Sequence, residues 1–272
     1  MNKAHALVIA ILASTILLLP GCATSASRSG AEPDTPLRIY DLSFELNEQQ
    51  YACKVIINEA ATMGGDALLF LHGAGECGTD GMSQLLVGLP RNAIQNPEMW
   101  PFVIIAPQKP TRNSEWEDHD LAVLYMLDQA AEKGLYDPDR LAITGLSQGG
   151  HGTITIAGRY PDRFQAAAPV CGYVRSVFDE NRVRIPREPT TPTTPEVVQA
   201  ANALSGMPTW IHHGGADSVV PVTESQSLYG ALQNLGADTR YSEYPGVNHN
   251  SWDNAYSDQA LSDWFADLLR AE

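Results

Sequence analysis

One serine of the sequence lies in a pattern that is typical of an enzyme nucleophile. The stretch "ITGLSQGGHG" contains Gly145-Leu146-Ser147-Gln148-Gly149, a Gly-x-Ser-x-Gly motif. Five residues are a weak signal alone, but the apolar segment before them predicts a strand and the segment after them predicts a helix. So tight a turn crowds the chain, so the residues two positions away on either side must be small. The context therefore favours a nucleophile over a serine in an ordinary glycine-rich turn.

A serine nucleophile needs a base, and the base needs an acid that orients it. After a strand–turn–helix nucleophile, the acid comes next along the chain and the histidine last. Asp217 lies in "HHGGADSVVP", after a predicted strand. His249 lies in "YPGVNHNSWD", between the last predicted strand and the last predicted helix. The order therefore predicts Ser147 as nucleophile, Asp217 as acid and His249 as base.

Other acidic residues and histidines compete for the two supporting roles. Asp238 begins a predicted strand and Asp253 is predicted to cap the final helix, so neither is favoured as the acid. The other histidines considered are interpreted as structural or surface residues, namely His212 and His213 at a strand end, His151 one helical turn after the serine, and His119, which has no partner motif.

A hydrolase of this kind also needs hydrogen-bond donors for the oxyanion of its tetrahedral intermediate. The backbone N–H of Gln148, the residue after the nucleophile, is predicted to be one donor. The loop "LHGAGECGTDG" (71–81) begins at the end of an apolar strand, and its glycines let the backbone approach a substrate closely. Gly73 or Ala74 is predicted to supply the second donor, with Ala74 preferred.

Strand-like and helix-like segments alternate along the rest of the chain. Apolar runs such as "DALLFLHG" and "FVIIAPQ" are typical of strands buried on both faces. The pattern of "DLAVLYMLDQAAEKG" predicts a helix with Leu121, Leu124, Leu127 and Ala131 on one face, and Thr223 is predicted to cap a later helix. The alternation predicts an α/β fold with a mostly parallel central sheet, helices on both faces and a site at the carboxyl ends of the strands.

Residues 175–206 interrupt this alternation between two predicted strands. The segment is dense in proline and threonine, and its central prolines exclude a regular helix there. Two interpretations remain open. The segment is either a surface insert without regular structure or a lid over the site, a frequent role of long loops in compact domains.

The N-terminus predicts export. Lys3 precedes an apolar run at 6–19 that is typical of a signal peptide and short for a membrane span. "LPGC" resembles a bacterial lipobox, in which Cys22 carries lipid and becomes the mature N-terminus. Pro20 departs from the small residue that is usual there, and a plain secretory signal is the alternative.

These features divide the chain into three parts. We predict a lipoprotein signal peptide at 1–21, a flexible tether at 22–36 and a catalytic domain at 37–272. Ala23 follows the cysteine where an aspartate would favour the inner membrane, so the predicted location is the cell envelope, anchored to the outer membrane and facing the periplasm. A soluble secreted protein is the alternative location.

Composition argues against some partners. The net charge of −15, without a cluster of Lys or Arg, makes nucleic-acid binding unexpected, because such binding depends on neutralising phosphates. The four cysteines form no CxxC or Cys/His spacing typical of zinc, so neither a metal nor a cofactor is predicted. The expected partners are a small or polymeric substrate and, through the lipid, a membrane. Nothing in the sequence indicates the oligomeric state.

Five segments in this order resemble one family. They are "LFLHGAGECGTDG", "IIAPQ", "RLAITGLSQGGHGTITIAGRYPDRFQAAAPVCG", "WIHHGGADSVVPV" and "YSEYPGVNHNSWDNAY". The chain from Leu68 to its C-terminus, apart from the insert, resembles α/β-hydrolases of the polyhydroxybutyrate depolymerase and feruloyl esterase-like group. That group includes predicted peptidases of prolyl oligopeptidase type. The resemblance implies the α/β-hydrolase fold, and it implies the same nucleophile, acid and base.

The resemblance also bears on the substrate pocket. Trp252 matches the aromatic residue that follows the histidine in this group, and Glu76 lies in the oxyanion loop. That loop usually continues "GER", whereas Cys77 follows the glutamate here, and Gln148 stands where methionine is frequent. A backbone donor survives either change, so the departures alter the surface on the acyl side.

Three further residues that follow predicted strands have open roles. Trp116 follows the "APQ" strand and is either a wall of the acyl pocket or a core aromatic. Cys77 and Cys171 both follow predicted strands, and a disulfide between them is a hypothesis.

The predicted reaction is hydrolysis of a carboxylic ester through an acyl-enzyme. A serine peptidase of prolyl oligopeptidase type on the same three residues is the first alternative, because ester and amide hydrolysis share this machinery. A non-catalytic binding lipoprotein is the second. The substrate, whether an aryl ester, an acetylated sugar or a polyester, is left open by the sequence.

Overall fold

The computed structural model describes residues 37–46, 48–186 and 188–271. The predicted signal peptide, tether and lipidation site at Cys22 lie outside these residues. Within them the chain forms one nine-stranded sheet. Its strands are β1 (Arg38–Asp41), β2 (Phe44–Leu46), β3 (Gln49–Ile57), β4 (Gly65–Leu71), β5 (Val103–Gln108), β6 (Tyr136–Leu146), β7 (Ala167–Val170), β8 (Thr209–Gly214) and β9 (Thr239–Tyr244).

The sheet is antiparallel at one edge and parallel elsewhere. Its order is β1-β3-β5-β4-β6-β7-β8-β9, with β2 also paired to β3. Strands β1, β2 and β5 run antiparallel to β3, and all pairs from β5 to β9 are parallel. The carboxyl ends of β4 to β9 therefore meet at one edge, where α/β sheets form their sites.

Helices cover both faces of the sheet. They are α1 (Gly88–Gln95), α2 (Asp120–Glu132), α3 (Gln148–Arg159), α4 (Pro195–Leu204), α5 (Thr223–Asn234), α6 (Trp252–Tyr256) and α7 (Gln259–Leu269). Side chains of β4 alternate between two cores, with Leu69 and Leu71 packed among α2 to α5 and Leu68 and Phe70 packed among α1, α6 and α7. This arrangement confirms the mostly parallel, helix-covered sheet predicted from the sequence.

The structure corrects three details of the predicted helices. In α2 the buried face contains Ala122, Val123 and Met126, whereas Leu121 is 69% exposed. Helix α5 begins at Thr223, but its N-cap is Val222 and no side chain caps it. The residue that caps the final helix α7 is Asp258, which accepts a hydrogen bond from the Ala260 N–H. The predicted cap at Asp253 is wrong, because that residue lies inside α6.

The proline- and threonine-rich insert is partly helical. Helix α4 forms its last third and starts at Pro195, a position where proline is tolerated. Val197, Ala201 and Leu204 are buried in the same core as α3 and α5. The insert therefore combines an irregular first part with a packed helix.

Two further features concern the cysteines and the possibility of a membrane-spanning helix. Cys53, Cys77 and Cys171 are free, so the hypothesis of a Cys77–Cys171 disulfide is wrong. No helix among the described residues is long and apolar enough to cross a bilayer.

Candidate active site

Ser147 lies on a strained turn between β6 and α3. Its φ of 54° and ψ of −114° are unusual for a residue other than glycine. The flanking glycines make this turn possible. A Cβ at Gly145 would lie 2.4 Å from the Gly149 oxygen, and a Cβ at Gly149 would lie 1.8 Å from the Leu71 oxygen. The motif is therefore a steric requirement of the close contact between β4 and the first turn of α3.

Three distant side chains form one hydrogen-bonded chain at the carboxyl edge of the sheet. Ser147 Oγ lies 2.9 Å from Nε2 of His249, and Nδ1 of the same histidine lies 2.7 Å from Oδ2 of Asp217. Because the carboxylate can only accept, Nδ1 donates to it and Nε2 is left to accept the serine proton. The structure thus brings together the three residues that the sequence predicts as nucleophile, base and acid.

The Asp217 carboxylate accepts four hydrogen bonds. Oδ2 faces His249 and His213, and Oδ1 accepts from the N–H groups of Val219 and Val220. Burial acts to raise the pKa of Asp217, but these four donors hold that pKa well below its usual range. The carboxylate is therefore ionised and fixed in orientation, as an acid that must orient a histidine requires.

His213 is a contact of this carboxylate that sequence reasoning missed. Its Nε2 lies 3.2 Å from Asp217 Oδ2 and 3.0 Å from the Val220 carbonyl oxygen. Both neighbours are acceptors, so Nε2 carries the proton, and Nδ1 accepts from Ser225 Oγ at 2.7 Å. His213 is thus a hydrogen-bonded group, as the sequence interpretation has it, and its partner is the carboxylate of Asp217, the residue predicted as the acid.

Asn248 ties the loop of the acid to the loop of the base. Its Oδ1 accepts hydrogen bonds from the N–H and hydroxyl groups of Ser218 and from the N–H of His249. The N–H of Ala216 also donates to the Val247 carbonyl oxygen. These bonds fix the two loops relative to each other, although they follow different strands.

The predicted oxyanion loop lies against the nucleophile. A Cβ at Gly73 would lie 3.5 Å from Ser147 Cβ, and both Gly73 and Ala74 line the same cavity as the serine. Gln148 is the first residue of α3, so its N–H belongs to the turn that has no partner within the helix. The backbone groups predicted as donors are therefore at the serine.

The buried ring of His72 links the predicted oxyanion loop to the segment after β5. Its Nε2 accepts from the Lys109 N–H, so the proton is on Nδ1, which donates to the Gly73 carbonyl oxygen. Burial lowers the pKa of His72 to about 3, so the ring is neutral. The local sequence does not predict this role, because the residue that donates to the ring, Lys109, follows β5 and is distant along the chain.

The prediction for Gln148 concerns its backbone N–H, and its side chain makes separate contacts. Its amide nitrogen donates to the Ser114 carbonyl oxygen and to Oε2 of Glu115. Glu115 is 1% exposed and also accepts from the Tyr173 hydroxyl and the Val177 N–H. One buried carboxylate therefore connects the residue after the nucleophile with the first residues of the insert.

A cavity of about 770 Å³ opens at the serine. It is lined by the oxyanion loop (73–76), by Arg112 and Asn113, by Leu146 to Gln148, by Tyr173, Val177, Phe178, Arg182 and Arg184, and by Val219, His249 and Trp252. Trp252 stands edge-on to the His249 ring at 5.5 Å. Two of the predicted pocket residues, Trp252 and Glu76, thus line the cavity.

Trp116 is a core residue. It is 1% exposed and is absent from the lining of the cavity, and its indole N–H donates to the His72 carbonyl oxygen. A Cβ at Gly152 would lie 2.6 Å from Trp116 Cβ, so a glycine of α3 provides the space for the tryptophan. The core alternative for Trp116 is therefore the arrangement found, and the predicted place in the pocket is wrong.

The other three histidines of the described residues are hydrogen-bonded away from the serine. His151 is buried between Glu117 and the Tyr173 carbonyl oxygen. Burial opposes its protonation, but the Glu117 carboxylate raises its pKa to about 9. His119 contacts Tyr51 and Ser114, and His212 contacts the Tyr244 hydroxyl. Within the described ranges no group of three or more His, Cys, Asp or Glu side chains is placed to hold a metal ion.

Comparison with protein families gives a match over the second half of the chain. Residues 113–271 match the model described as the prolyl oligopeptidase family. This range contains Ser147, Asp217 and His249, and it begins after the predicted oxyanion loop.

Curated relatives match over parts of longer proteins. An uncharacterized secreted protein of Arthroderma benhamiae is 28% identical over 75% of this chain and 23% of its own length. Acylamino-acid-releasing enzyme 2 of Oryza sativa is 29% identical over 46% of this chain and 19% of its own length. Poly(3-hydroxyalkanoate) depolymerase C of Paucimonas lemoignei is 31% identical over 26% of this chain. The chain spans about a fifth of the length of these relatives.

Solved structures match over most of the domain. A thermostable esterase is 27% identical, with a TM-score of 0.68 over 84% of this chain and 62% of its own. A truncated carbohydrate esterase from gut microbiota has a TM-score of 0.63 over 89% of this chain and 100% of its own, at 18% identity. These similarities confirm the predicted α/β-hydrolase fold.

Proposed function

Because the chain belongs to the prolyl oligopeptidase family and has the α/β-hydrolase fold of serine hydrolases, we propose that it hydrolyses carboxylic esters through an acyl-enzyme. The observation that carries this proposal is the hydrogen-bonded chain from Ser147 through His249 to Asp217, beside a cavity large enough for a small ester.

In the proposed reaction, Ser147 Oγ attacks the carbonyl carbon of the ester while its proton passes to Nε2 of His249. The carbonyl oxygen becomes an oxyanion, to which the N–H groups of Gln148 and of Ala74 or Gly73 donate. The imidazolium, oriented by Asp217, gives its proton to the leaving alcohol as the ester C–O bond breaks. A water molecule then gives a proton to the same histidine and attacks the acyl carbon. The bond between that carbon and Ser147 Oγ breaks, the imidazolium returns the proton to Oγ, and the acid is released.

Similarity supports an ester as the bond that is cleaved. The thermostable esterase matches over most of the domain, and the poly(3-hydroxyalkanoate) depolymerase matches at 31% identity. A peptidase on the same residues is the second candidate. The family description and the acylamino-acid-releasing enzyme of Oryza sativa support it. Both reactions use the same three side chains, so the acyl and leaving-group surfaces decide between them.

We further propose that the enzyme acts outside the cytoplasm, anchored by lipid on Cys22 to the outer membrane. The signal-like run at 6–19 and the lipobox-like "LPGC" support this location. The relative described as a secreted protein supports export alone.

We also propose that the first part of the insert covers the substrate. Four of its residues support this role, because Val177, Phe178, Arg182 and Arg184 line the cavity that contains the serine. A cover of this kind would limit the access of water to the acyl-enzyme and restrict the shape of the substrate.

A fluorophosphonate probe and a substrate panel test the proposal. The probe should label one residue, and peptide mapping should find it at Ser147. On a panel of p-nitrophenyl esters and aminoacyl p-nitroanilides, kcat/KM should be higher for the esters. Higher values for the anilides would favour the peptidase, and the absence of both labelling and turnover would favour the non-catalytic binding lipoprotein.

Replacing His213 with leucine should lower kcat about tenfold with little change in KM, because the variant removes one donor from the Asp217 carboxylate. The less neutralised carboxylate should hold the proton on His249 more strongly, so the acid limb of the pH–rate profile should move to higher pH. Kinetics with p-nitrophenyl butyrate from pH 5 to 9 measure both effects. Ser225→Ala is the matched control, since it removes the other partner of the ring. Equal losses in both variants with unchanged profiles would leave His213 a purely structural role.

A further inference from the structure

The charge of the cavity differs from the charge of the chain. The sequence carries a net charge of −15, yet Arg112, Arg182 and Arg184 all line the cavity at the serine. All three residues are exposed. Glu76 is the carboxylate among the lining residues.

Two of these arginines have no carboxylate partner in the part of the chain that the structure describes. Arg182 pairs with Asp118, whereas no carboxylate oxygen lies within 4.0 Å of a guanidinium nitrogen of Arg112 or Arg184. Elsewhere in the same part, several arginines are paired with aspartates, namely Arg140, Arg159, Arg163 and Arg270. Four other arginines of the described residues also lack such an ion pair, namely Arg38, Arg91, Arg175 and Arg240. What sets Arg112 and Arg184 apart is that both line the cavity at the serine, where positive side chains favour an anionic ligand.

The arginines of the insert stand on an ordered turn. Phe178 and Arg184 form an antiparallel bridge, and Oδ1 of Asp179 accepts hydrogen bonds from the N–H groups of Asn181 and Val183. Arg182 has a φ of 61° at the tip of the turn. The turn therefore holds its two arginines at the lining of the cavity, which also includes Arg112 from the segment after β5.

The remaining charge suits a single negative group. Burial raises the pKa of Glu76, while the charge of Arg112 opposes that shift. Asp118 pairs with Arg182, and Glu117 and Glu115 also act on that guanidinium. Arg112 and Arg184 are thus left with Glu76 as the carboxylate of the cavity lining, an excess of one arginine. A carboxylate matches this excess, and the planar guanidinium fork can bind it through two parallel hydrogen bonds.

The geometry points to an ester that carries a carboxylate on its acyl part or its alcohol part, with Arg112 and Arg184 as the groups that recognise it. This inference rests on the proposed ester hydrolysis at Ser147. The carbonyl carbon would lie at the serine while the carboxylate of the substrate lies at the arginines. Because the rest of the surface is acidic, these arginines would also draw an anionic substrate into this cavity.

Two esters of equal length test the inference. Mono-p-nitrophenyl succinate ends in a carboxylate where p-nitrophenyl butyrate ends in a methyl group. In Arg112→Gln/Arg184→Gln, the ratio of kcat/KM for the succinate to kcat/KM for the butyrate should fall by about 10- to 100-fold, the usual value of a charge-assisted hydrogen bond. Raising the NaCl concentration from 0.05 to 0.5 M should lower the preference of the unmodified enzyme for the succinate.

Arg91→Gln is the matched control. Arg91 is also exposed, but it lies on α1 outside the cavity lining, so this variant should keep the preference of the unmodified enzyme. An equal fall for both esters in the double variant, or no fall for the succinate, would overturn carboxylate recognition while leaving ester hydrolysis intact. If the unmodified enzyme cleaved neither ester, the proposed hydrolysis would fail and this inference with it.

Discussion

Replacing Ser147 with alanine should lower kcat for p-nitrophenyl butyrate by at least about 10⁴-fold. The hydroxyl is the one group in the hydrogen-bonded chain that can form the acyl-enzyme, and serine hydrolases that lose it keep only the rate provided by binding and the oxyanion donors. Initial-rate kinetics with purified protein, together with a fluorophosphonate probe, measure the effect. The variant should also lose labelling by the probe.

The fold should survive this change. The side chain of Ser147 makes one hydrogen bond, to His249, whereas the turn is set by the backbone and the flanking glycines. The thermal unfolding midpoint should therefore stay within about 3 °C of the unmodified protein, a shift expected for less than about 1.5 kcal/mol. Activity within tenfold of the unmodified enzyme would show that another residue is the nucleophile.

Replacing Gly149 with alanine should destabilise the domain by about 3 kcal/mol or more. The added Cβ would lie 1.8 Å from the oxygen and 2.4 Å from the carbonyl carbon of Leu71, and both of these are backbone atoms of β4. The strand or the first turn of α3 must move, and Ser147 moves with it. The unfolding midpoint should fall by about 6–12 °C and turnover should be lost. Calorimetry and the yield of soluble protein measure the effect.

Gly206→Ala is the matched control for this prediction. A Cβ there meets no atom within 4 Å, so the midpoint should change by less than about 2 °C. If Gly149→Ala were as stable and as active as this control, the close contact between β4 and α3 would not be what demands glycine at this position.

The sequence is sufficient for the order of the elements and for the three central residues of the site. Apolar runs and turn residues place the strands, and parallel strands bring their carboxyl ends to one edge. Ser147, Asp217 and His249 all follow such strands, so their meeting depends on topology alone. Side-chain rotamers and loop contacts were not needed to predict it.

The sequence did not predict which side chains of an element face the sheet and are buried. Helix α2 carries two neighbouring apolar stripes, and only packing shows that Val123 and Met126 are buried while Leu121 is exposed. Trp116 is in the core because Gly152 of α3 leaves room for it. A glycine inside a predicted helix was the available signal, since such residues usually have a packing reason.

The sequence also did not predict three residues that contact the site, or the loops around it, from other parts of the fold. His213 reaches Asp217 only because the chain turns back after β8, and His72 shapes its loop through the backbone of β5. Glu115 gives no local signal, since a glutamate in a polar loop is usually solvated. Their roles depend on the three-dimensional arrangement of the loops, which the sequence pattern does not specify.

The buried carboxylate of Glu115 contacts both the proposed cover of the site and the residue after the proposed nucleophile. Its acceptors hold the Gln148 side chain on one side and Ser176 and Val177 of the insert on the other. A movement that took the insert away would leave a buried anion short of donors, which costs free energy. By linkage, a ligand bound at the proposed oxyanion donor would favour closure of the insert by the same free energy by which closure strengthens the binding of that ligand. The position of the insert and the binding of a ligand at the Gln148 N–H would thus each depend on the other.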